Sequence, residues 1–289
     1  MLRDILVYGL MNGAVYAMLA VGFSLIFGAA RIINLAHTAF FMLGAYGVLF
    51  FSTNLSLSPL LAIPLSILTV VIIGIIVYYF IMEPIREHET AVLIITVAVA
   101  LVFQELVLII FGGHYRGASS LISGYVTFWD ARISYQYILT LGVVSVSLLA
   151  TWLVLMKTSL GLAIRASAQD REIANLMGMN VAKIAAATMA ISVGLAAIAG
   201  VMVAPLYTLE PHMWLNPLVL VLAIVILGGL GSIKGCFIGA LILAFIEVTV
   251  VFLLPAGAFL KVAIALTIML SILIIRPEGL FGVYLEGER

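Results

Sequence analysis

Long runs of apolar residues recur along this chain, and they constrain its fold more than any other feature. A helix that crosses the hydrocarbon core of a membrane needs about 20 apolar residues. Nine segments reach or approach that length: 5–27, 37–52, 59–82, 90–111, 135–156, 184–207, 216–232, 236–254 and 257–275. The pattern predicts an all-α integral membrane protein, a polytopic bundle of eight or nine transmembrane helices, as a single domain over 1–289.

Two places leave the number of spans open. The segment 37–52 is short for a span, so an eight-span arrangement would make 28–52 a re-entrant or broken helix. Only the glycine-rich stretch Gly228–Gly235 separates the spans at 216–232 and 236–254. Glycines of this kind allow close helix packing, or an unwound backbone beside a cavity, and the sequence permits both interpretations.

Composition excludes several classes of function. The chain is 65% hydrophobic and 9% charged, whereas a soluble domain averages about a quarter charged residues. Its 13 basic and 13 acidic residues cancel, which argues against a nucleic-acid partner. Cys236 is the only cysteine, and the four histidines are far apart, so no metal-ligand spacing occurs. The sequence also lacks a phosphate-binding Gly-Lys-Ser/Thr loop and any paired catalytic residues.

The basic residues predict how the chain is oriented. With the N-terminus outside and nine spans, nine basic residues fall inside and four fall outside. The inner ones are Arg31, Arg86, Lys157, Arg165, Arg171, Lys183, Lys234, Arg276 and Arg289, and the outer ones are Arg3, Arg116, Arg132 and Lys261. Because cytoplasmic loops carry the excess of Lys and Arg, this arrangement is favoured and its reverse is not.

One polar stretch, 157–183, interrupts the apolar pattern. Residues 163–177 favour a helix, Gly178 suits a left-handed helix end, and Asn180 suits the N-cap of a helix that begins at Val181. The stretch therefore predicts a helix–turn–helix on the cytoplasmic surface. Such a rigid turn suits docking of another protein, but most loops between spans only connect them, and spacing alone does not decide between the two.

Polar residues within the apolar runs are the second functional signal. Asn12, Gln104, Glu105 and Glu247 lie inside predicted spans, and Asn34 and His37 flank the break after the first span. A charged group at the centre of a membrane helix costs at least about 2.5 kcal/mol, so it normally faces the bundle interior or a water-filled path. Interhelical hydrogen bonding is an equal alternative for Asn12 and Gln104.

Several ordered motifs carry a family resemblance over nearly the whole length. They are Asn12–Gly28, Ile33–Tyr46, Thr158–Asp170, Ala174–Asn180, Leu227–Ala240 and Arg276–Gly282. In this order they resemble the LivH-type permease subunit of branched-chain amino-acid ATP-binding-cassette (ABC) importers. The resemblance implies a bacterial inner-membrane, multi-pass, non-catalytic transmembrane permease domain. The basic residues place its C-terminus in the cytoplasm.

The same resemblance implies partners and site residues. The expected partners are a homologous second permease, two cytoplasmic ATP-binding subunits that alone bind ATP, a periplasmic or extracellular solute-binding protein, and membrane lipid. The loop 157–183 would be the coupling helix–turn–helix that docks on an ATPase subunit. The residues carried over to that role are Arg165, Gln169, Asp170, Ala174, Met177 and Gly178.

The substrate pathway is a separate prediction from the polar residues. It places Asn34, His37 and Thr38 beside the first break, with Gln104 and Glu105 opposite. Three alternatives stay open at this point: a permease for amides, urea or another small solute, a self-sufficient secondary carrier, and a membrane-embedded enzyme. Ion-coupling carboxylates at mid-membrane would favour the secondary carrier, and only Glu105 and Glu247 point that way.

Overall fold

A computed structural model describes residues 1–128, 131–276 and 279–281, so the predicted motif positions Pro277, Glu278 and Gly282 lie outside the described residues. The described residues form eleven α-helices and one antiparallel hairpin. The helices are α1 (Leu2–Ala30), α2 (His37–Leu49), α3 (Pro59–Val77), α4 (Glu89–Phe111), α5 (Tyr135–Lys157), α6 (Ser159–Gln169), α7 (Arg171–Leu176), α8 (Val181–Val203), α9 (Leu215–Gly228), α10 (Ile233–Leu253) and α11 (Gly257–Ile275). The strands are β1 (Tyr125–Phe128) and β2 (Ala131–Ser134).

Seven of these helices are long and apolar enough to cross a membrane. They are α1, α3 with its continuation to Ile85, α4, α5, α8, α10 and α11. The mostly helical, polytopic architecture is therefore confirmed, but the hairpin β1–β2 departs from the all-α prediction. The exact number of eight or nine spans stays a prediction, because the two remaining helices, α2 and α9, are not among these seven.

The helices α2 and α9 contain 13 and 14 residues, and α2 continues directly into a π-helical turn at Phe50–Asn54. Each follows a non-helical segment that is partly or wholly buried, residues 31–36 before α2 and residues 204–214 before α9. The segment 28–52 is thus broken at 31–36, at the place where the sequence predicts a break. Irregular backbone at membrane depth is tolerated only where protein or a wet cavity surrounds it, which fits the buried residues within both breaks.

The centre of the bundle is formed by α1, α2 and α8. Their facing surfaces are almost wholly buried, whereas α3, α4, α5 and α11 present many exposed Leu and Ile side chains to the surroundings. Small residues permit the close packing of the central helices. At Gly200 of α8, even a methyl group would overlap the carbonyl oxygen of Phe41 in α2.

The bundle has two distinct ends. At the elbow end, the elbow (residues 158–180, containing α6 and α7) adjoins the C-terminus of α1, and the C-terminal part of α1 in turn approaches the α9–α10 turn at Gly231. Residues 279–281 close this end, since the N–H of Leu280 donates to the carbonyl of Leu227 at 2.7 Å. At the hairpin end, β1–β2 and the segment 112–124 adjoin residues 204–214, where the backbones of Arg116 and Leu209 pair.

The predicted inner basic residues collect at the elbow end. Arg31 follows α1, Arg86 and Arg171 line one cavity beside α7, and Lys234 lies in the first turn of α10. Successive helices alternate in direction along the chain, so the same end also carries Lys157, Arg165, Lys183 and Arg276. Arg289 is outside the described residues. The basic residues that the sequence assigns to one side of the membrane therefore lie together at one end of the bundle.

Candidate functional site

The elbow consists of two helices where the sequence predicts one. The prediction of a single helix over 163–177 is wrong in this respect, because the chain breaks at Asp170. Thr158 caps α6 by accepting from the N–H of Gly161 at 3.1 Å, and Asp170 caps α7 by accepting from the N–H of Ile173 at 2.9 Å. An aspartate that satisfies a free N–H group in this way favours a new helix start over continuation of the old helix.

The turn that closes the elbow has the geometry that the sequence predicts. Gly178 has a φ of 84°, a left-handed conformation that side chains other than glycine rarely adopt. The N–H of Met179 donates to the carbonyl of Ala174 at 3.1 Å, and that of Gly178 donates to Asn175 at 3.0 Å, which is the Schellman pattern. Asn180 then caps α8 by accepting from the N–H of Lys183 at 3.0 Å. The elbow is therefore held rigidly against α8.

The six residues carried over to the coupling role divide into two groups. Gln169, Asp170, Met177 and Gly178 are exposed at the elbow surface. Ala174 is buried, and Arg165 donates from Nη1 to the carbonyl oxygen of Leu155, near the end of α5. Since the last carbonyls of a helix lack helical partners, Arg165 anchors α6 to α5.

An apolar patch covers the exposed side of α7. Leu176 is 86% exposed and Met177 is 77% exposed, and Ile173 is also exposed on the same helical face. These residues lie outside the helices that are long enough to cross the membrane. A contiguous apolar surface at such a place is typical of a protein–protein contact. Ile173 and Leu176 are absent from the predicted site residues, although their i, i+3 spacing was a visible signal.

Arg171 connects the elbow to the central helix. Its Nη1 donates to the carbonyl oxygen of Ala30 at 3.0 Å, at the C-terminal end of α1. Burial and the neighbouring Arg86 guanidinium lower the pKa of Arg171 from its usual value, although arginine keeps its charge in proteins. A cation at the end of α1 also interacts favourably with the helix dipole.

The first break returns the chain to the interior of the bundle. Arg31 takes a left-handed conformation at φ 56°, which is uncommon for a residue other than glycine, and ends α1. His37 then lies beside Leu19, which is eleven residues before Ala30 and so about 16 Å along the helix axis at about 1.5 Å per residue. Helix α2 therefore starts deep within the bundle.

The structure brings the three predicted residues of this break together. Asn34, His37 and Thr38 are all fully buried. Asn34 accepts from the N–H of Ala36 at 3.1 Å and donates to the sulfur of Met189 at 3.8 Å. The Thr38 hydroxyl is buried without a hydrogen-bond partner among the described residues.

His37 is held by both of the helices around it. Its Nε2 lies 3.0 Å from the carbonyl oxygen of Leu19, and its Nδ1 lies 3.3 Å from the hydroxyl of Ser192 in α8. The Leu19 carbonyl can only accept, so Nε2 carries the proton and donates to it. The Ser192 hydroxyl donates its hydrogen to the carbonyl oxygen of Gly22 at 2.7 Å. Ser192 is another residue that the sequence pattern did not single out, because serine is common in packed membrane helices.

The other predicted pathway residues form a separate group on α4. Gln104 is buried, and its Oε1 accepts from the indole N–H of Trp214 at 2.9 Å, just before α9. Glu105 is exposed on the outer face of α4, with its Oε1 3.3 Å from the Gln104 amide nitrogen. Gln104 therefore supports the second break, and none of the hydrogen bonds among the described residues joins this group to Asn34 or His37.

Comparison with known proteins identifies the family. The family described as the branched-chain amino acid transport system / permease component matches residues 5–275. The chain belongs to this family.

Named relatives match the chain over nearly its whole length. The high-affinity branched-chain amino acid transport permease BraD of Pseudomonas aeruginosa is 29% identical, over 96% of this chain and 94% of the relative. LivH of Escherichia coli is 25% identical, over 95% and 93%. The probable LivH of the archaeon Methanocaldococcus jannaschii is 27% identical, over 92% and 88%.

The family match over residues 5–275 includes nearly all of the described bundle. A chain in the solved structure of PsaBC from Streptococcus pneumoniae in complex with a Fab has a TM-score of 0.54 over 95% of this chain and 92% of its own. At 17% identity, this likeness concerns the fold. Members of the permease family are transport components, and within the described residues no three His, Cys, Asp or Glu side chains converge to hold a metal ion.

Proposed function

We propose that this chain is the membrane permease of an ATP-driven importer for branched-chain amino acids. The observation that carries the proposal is the family match over 5–275, together with permease relatives that are covered over at least 88% of their own length. The chain itself binds no ATP and catalyses no reaction in this proposal. Separate subunits hydrolyse ATP, and this chain converts their movement into a change of access across the membrane.

The elbow is the part that receives the movement. Its exposed apolar patch of Ile173, Leu176 and Met177 supplies a docking surface for an ATPase subunit. Its capped helices and its Arg171–Ala30 hydrogen bond make it stiff and join it to α1. A rigid element can pass a rigid-body movement to the spans, whereas a flexible loop would absorb it.

Orientation and partners follow from the same assignment. The elbow end faces the cytoplasm, in keeping with its basic residues, and the N-terminus and the hairpin face the outside. A homologous permease completes the translocation path, two ATP-binding subunits dock at the elbow end, and a solute-binding protein delivers the amino acid at the hairpin end. The chain resides in a cytoplasmic membrane, the inner membrane in bacteria with two membranes.

Reconstitution tests the proposal directly. The complex is purified from its host through a tag on this chain, placed in lipid vesicles with ATP inside, and supplied with its binding protein and radiolabelled leucine. The expected result is leucine accumulation that requires ATP and stops with a non-hydrolysable analogue. Accumulation of urea or an amide instead of leucine would reject the substrate class. Leucine uptake by this chain alone on an ion gradient would reject the ATP-driven mechanism.

A further inference from the structure

A cavity with a mixed polar and apolar wall lies at the hairpin end, where α1, α11 and the beginning of α9 meet. It has a volume of about 190 Å³. Its polar lining includes Asn12 of α1, Glu210 of the second break and Lys261 of α11. Lys261 and Asn12 also line an adjoining pocket that reaches Glu247. Both signs of charge are thus present at one place within an otherwise apolar bundle.

The positive charge is held in place by a buried partner. The Nζ of Lys261 lies 2.7 Å from Oε1 of Glu247, whose side chain is 2% exposed, whereas that of Lys261 is 39% exposed. The Glu247 Oε2 has no hydrogen-bond partner among the described residues. A lysine ammonium has three N–H donors, so the contact with Glu247 leaves Lys261 able to donate into the cavity.

The negative charge comes from a different element. Glu210 lies in residues 204–214, beside Leu209, whose backbone pairs with Arg116 at 2.8 and 3.0 Å. This pairing fixes the position of Glu210 relative to the bundle. Since Glu247 is occupied by its contact with Lys261, Glu210 is the carboxylate of the cavity that remains for a cationic group of a ligand.

Two further features favour an anionic group at the Lys261 side. Asn216 and Pro217 of the cavity wall are the second and third residues of α9, so the positive end of this 14-residue half-helix faces the cavity. The Asn12 Oδ1 accepts from the Tyr207 hydroxyl at 3.0 Å, which leaves the amide NH2 group of Asn12 to donate. Half-helix N-termini at membrane depth commonly face anionic substrate groups.

The rest of the cavity wall is apolar. Val15 and Leu19 of α1, Phe41 of α2 and Leu220 of α9 supply it. Phe41 is one helical turn after His37, so the apolar part of the cavity wall lies close to the start of α2. A ligand in the cavity would thus be at the outer side of the first break.

We infer that this cavity binds an α-amino acid zwitterion with an aliphatic side chain, and the inference rests on the proposed function. The α-carboxylate is bound by Lys261 and the N-terminus of α9, and the α-ammonium by Glu210. The aliphatic side chain lies against Leu19 and Phe41. The site is the place where the permease first receives the amino acid from the outer face.

Photolabelling of the purified complex tests the site with a diazirine analogue of leucine. In the wild-type complex, adducts are expected on the α1 peptide that contains Val15 and Leu19, and excess leucine should reduce them. Lys261→Met and Glu210→Gln should each lower labelling by about tenfold, because each removes a charge-assisted hydrogen bond. Arg132→Gln, an exposed change in β2 at the same end, should leave labelling unchanged.

A charge exchange separates recognition from folding. The double variant Lys261→Glu/Glu247→Lys keeps an ion pair, and its melting temperature and gel-filtration profile show whether it folds like the wild type. It should lose the labelling, because the cavity then presents a carboxylate in place of the ammonium. Adducts that map elsewhere, or full labelling in all of these variants, would overturn the site even if the complex accumulates leucine. A wild-type complex that accumulates no leucine would instead reject the proposed function.

Discussion

Arg171 and Ala30 are 141 residues apart in the chain, and a hydrogen bond of 3.0 Å joins them. The bond connects the elbow to the end of α1, and the next residue, Arg31, starts the break that leads to Asn34 and His37. A displacement of the elbow therefore acts on the backbone immediately before the buried polar residues. This short path makes the Arg171 side chain the most informative position for testing how movement reaches the interior.

Replacement of Arg171 by Met should uncouple ATP hydrolysis from uptake. The variant loses a charge-assisted hydrogen bond worth about 1.5–3 kcal/mol, while the exposed docking patch is unaltered. We expect leucine uptake to fall by more than the ATPase rate of the complex, and Arg171→Lys to retain part of it. Lys157→Met, an exposed change at the same end, is the control. Equal losses of uptake and ATPase activity would contradict the linkage.

A charge in the apolar patch should prevent docking without harming the fold. Leu176 and Met177 are exposed, so Leu176→Asp and Met177→Asp should insert normally and melt at the wild-type temperature. The ATP-binding subunits should then no longer copurify in detergent, since the change places a carboxylate in an apolar contact. Asn175→Asp, on the same short helix, should copurify like the wild type. Retention of the ATP-binding subunits by both aspartate variants of the patch would exclude it as the docking surface.

Two substitutions at Gly178 test whether coupled transport depends on the backbone conformation of this turn. No atom lies within 4 Å of the position that an added Cβ would take. Gly178→Ala therefore meets strain only from its φ of 84° and should cost about 1–2 kcal/mol. Gly178→Pro should abolish coupled transport, because proline fixes φ near about −65° and cannot form this turn. Uptake by assembled complexes in vesicles distinguishes the two variants. Normal uptake by the proline variant would show that the turn geometry is dispensable.

Two glycines of α8 provide a matched pair for packing. Gly200→Ala should lower the melting temperature of the detergent-solubilised protein, since the added methyl group overlaps the Phe41 carbonyl of α2. Gly194→Ala should be neutral or stabilising, because its nearest neighbour would be the Val71 side chain at an ordinary 3.6 Å and alanine favours a helix. The opposite order of melting temperatures would contradict the close approach of α2 and α8.

Local signals in the sequence predicted much of the elbow. Gly178 and Asn180 each act through their own backbone or a neighbour three residues away, so the linear pattern reveals them. The break at Asp170 was missed because the flanking residues favour helix, and an aspartate there can either continue a helix or cap a new one. Which of the two occurs depends on tertiary contacts such as those of Arg165 and Arg171.

The polar interior shows where the linear pattern is insufficient. Adjacent residues on a helix point about 100° apart, so Gln104 and Glu105 face different surroundings, and only Gln104 is buried. The partners of His37 and Gln104 are Ser192 and Trp214, which lie 155 and 110 residues away. Likewise, Glu247 was recognised as costly, but its pairing with Lys261 depends on how α10 and α11 pack.

The first break also has a consequence for biosynthesis. Asn34 and His37 make their contacts with Met189 and Ser192, which are synthesised 155 residues later. While the ribosome completes the intervening helices, the start of α2 has no α8 to satisfy its polar groups in the lipid. We therefore expect the N-terminal part of the nascent chain to stay with the insertion machinery until α8 emerges, and shortened chains that end before Val181 to be degraded.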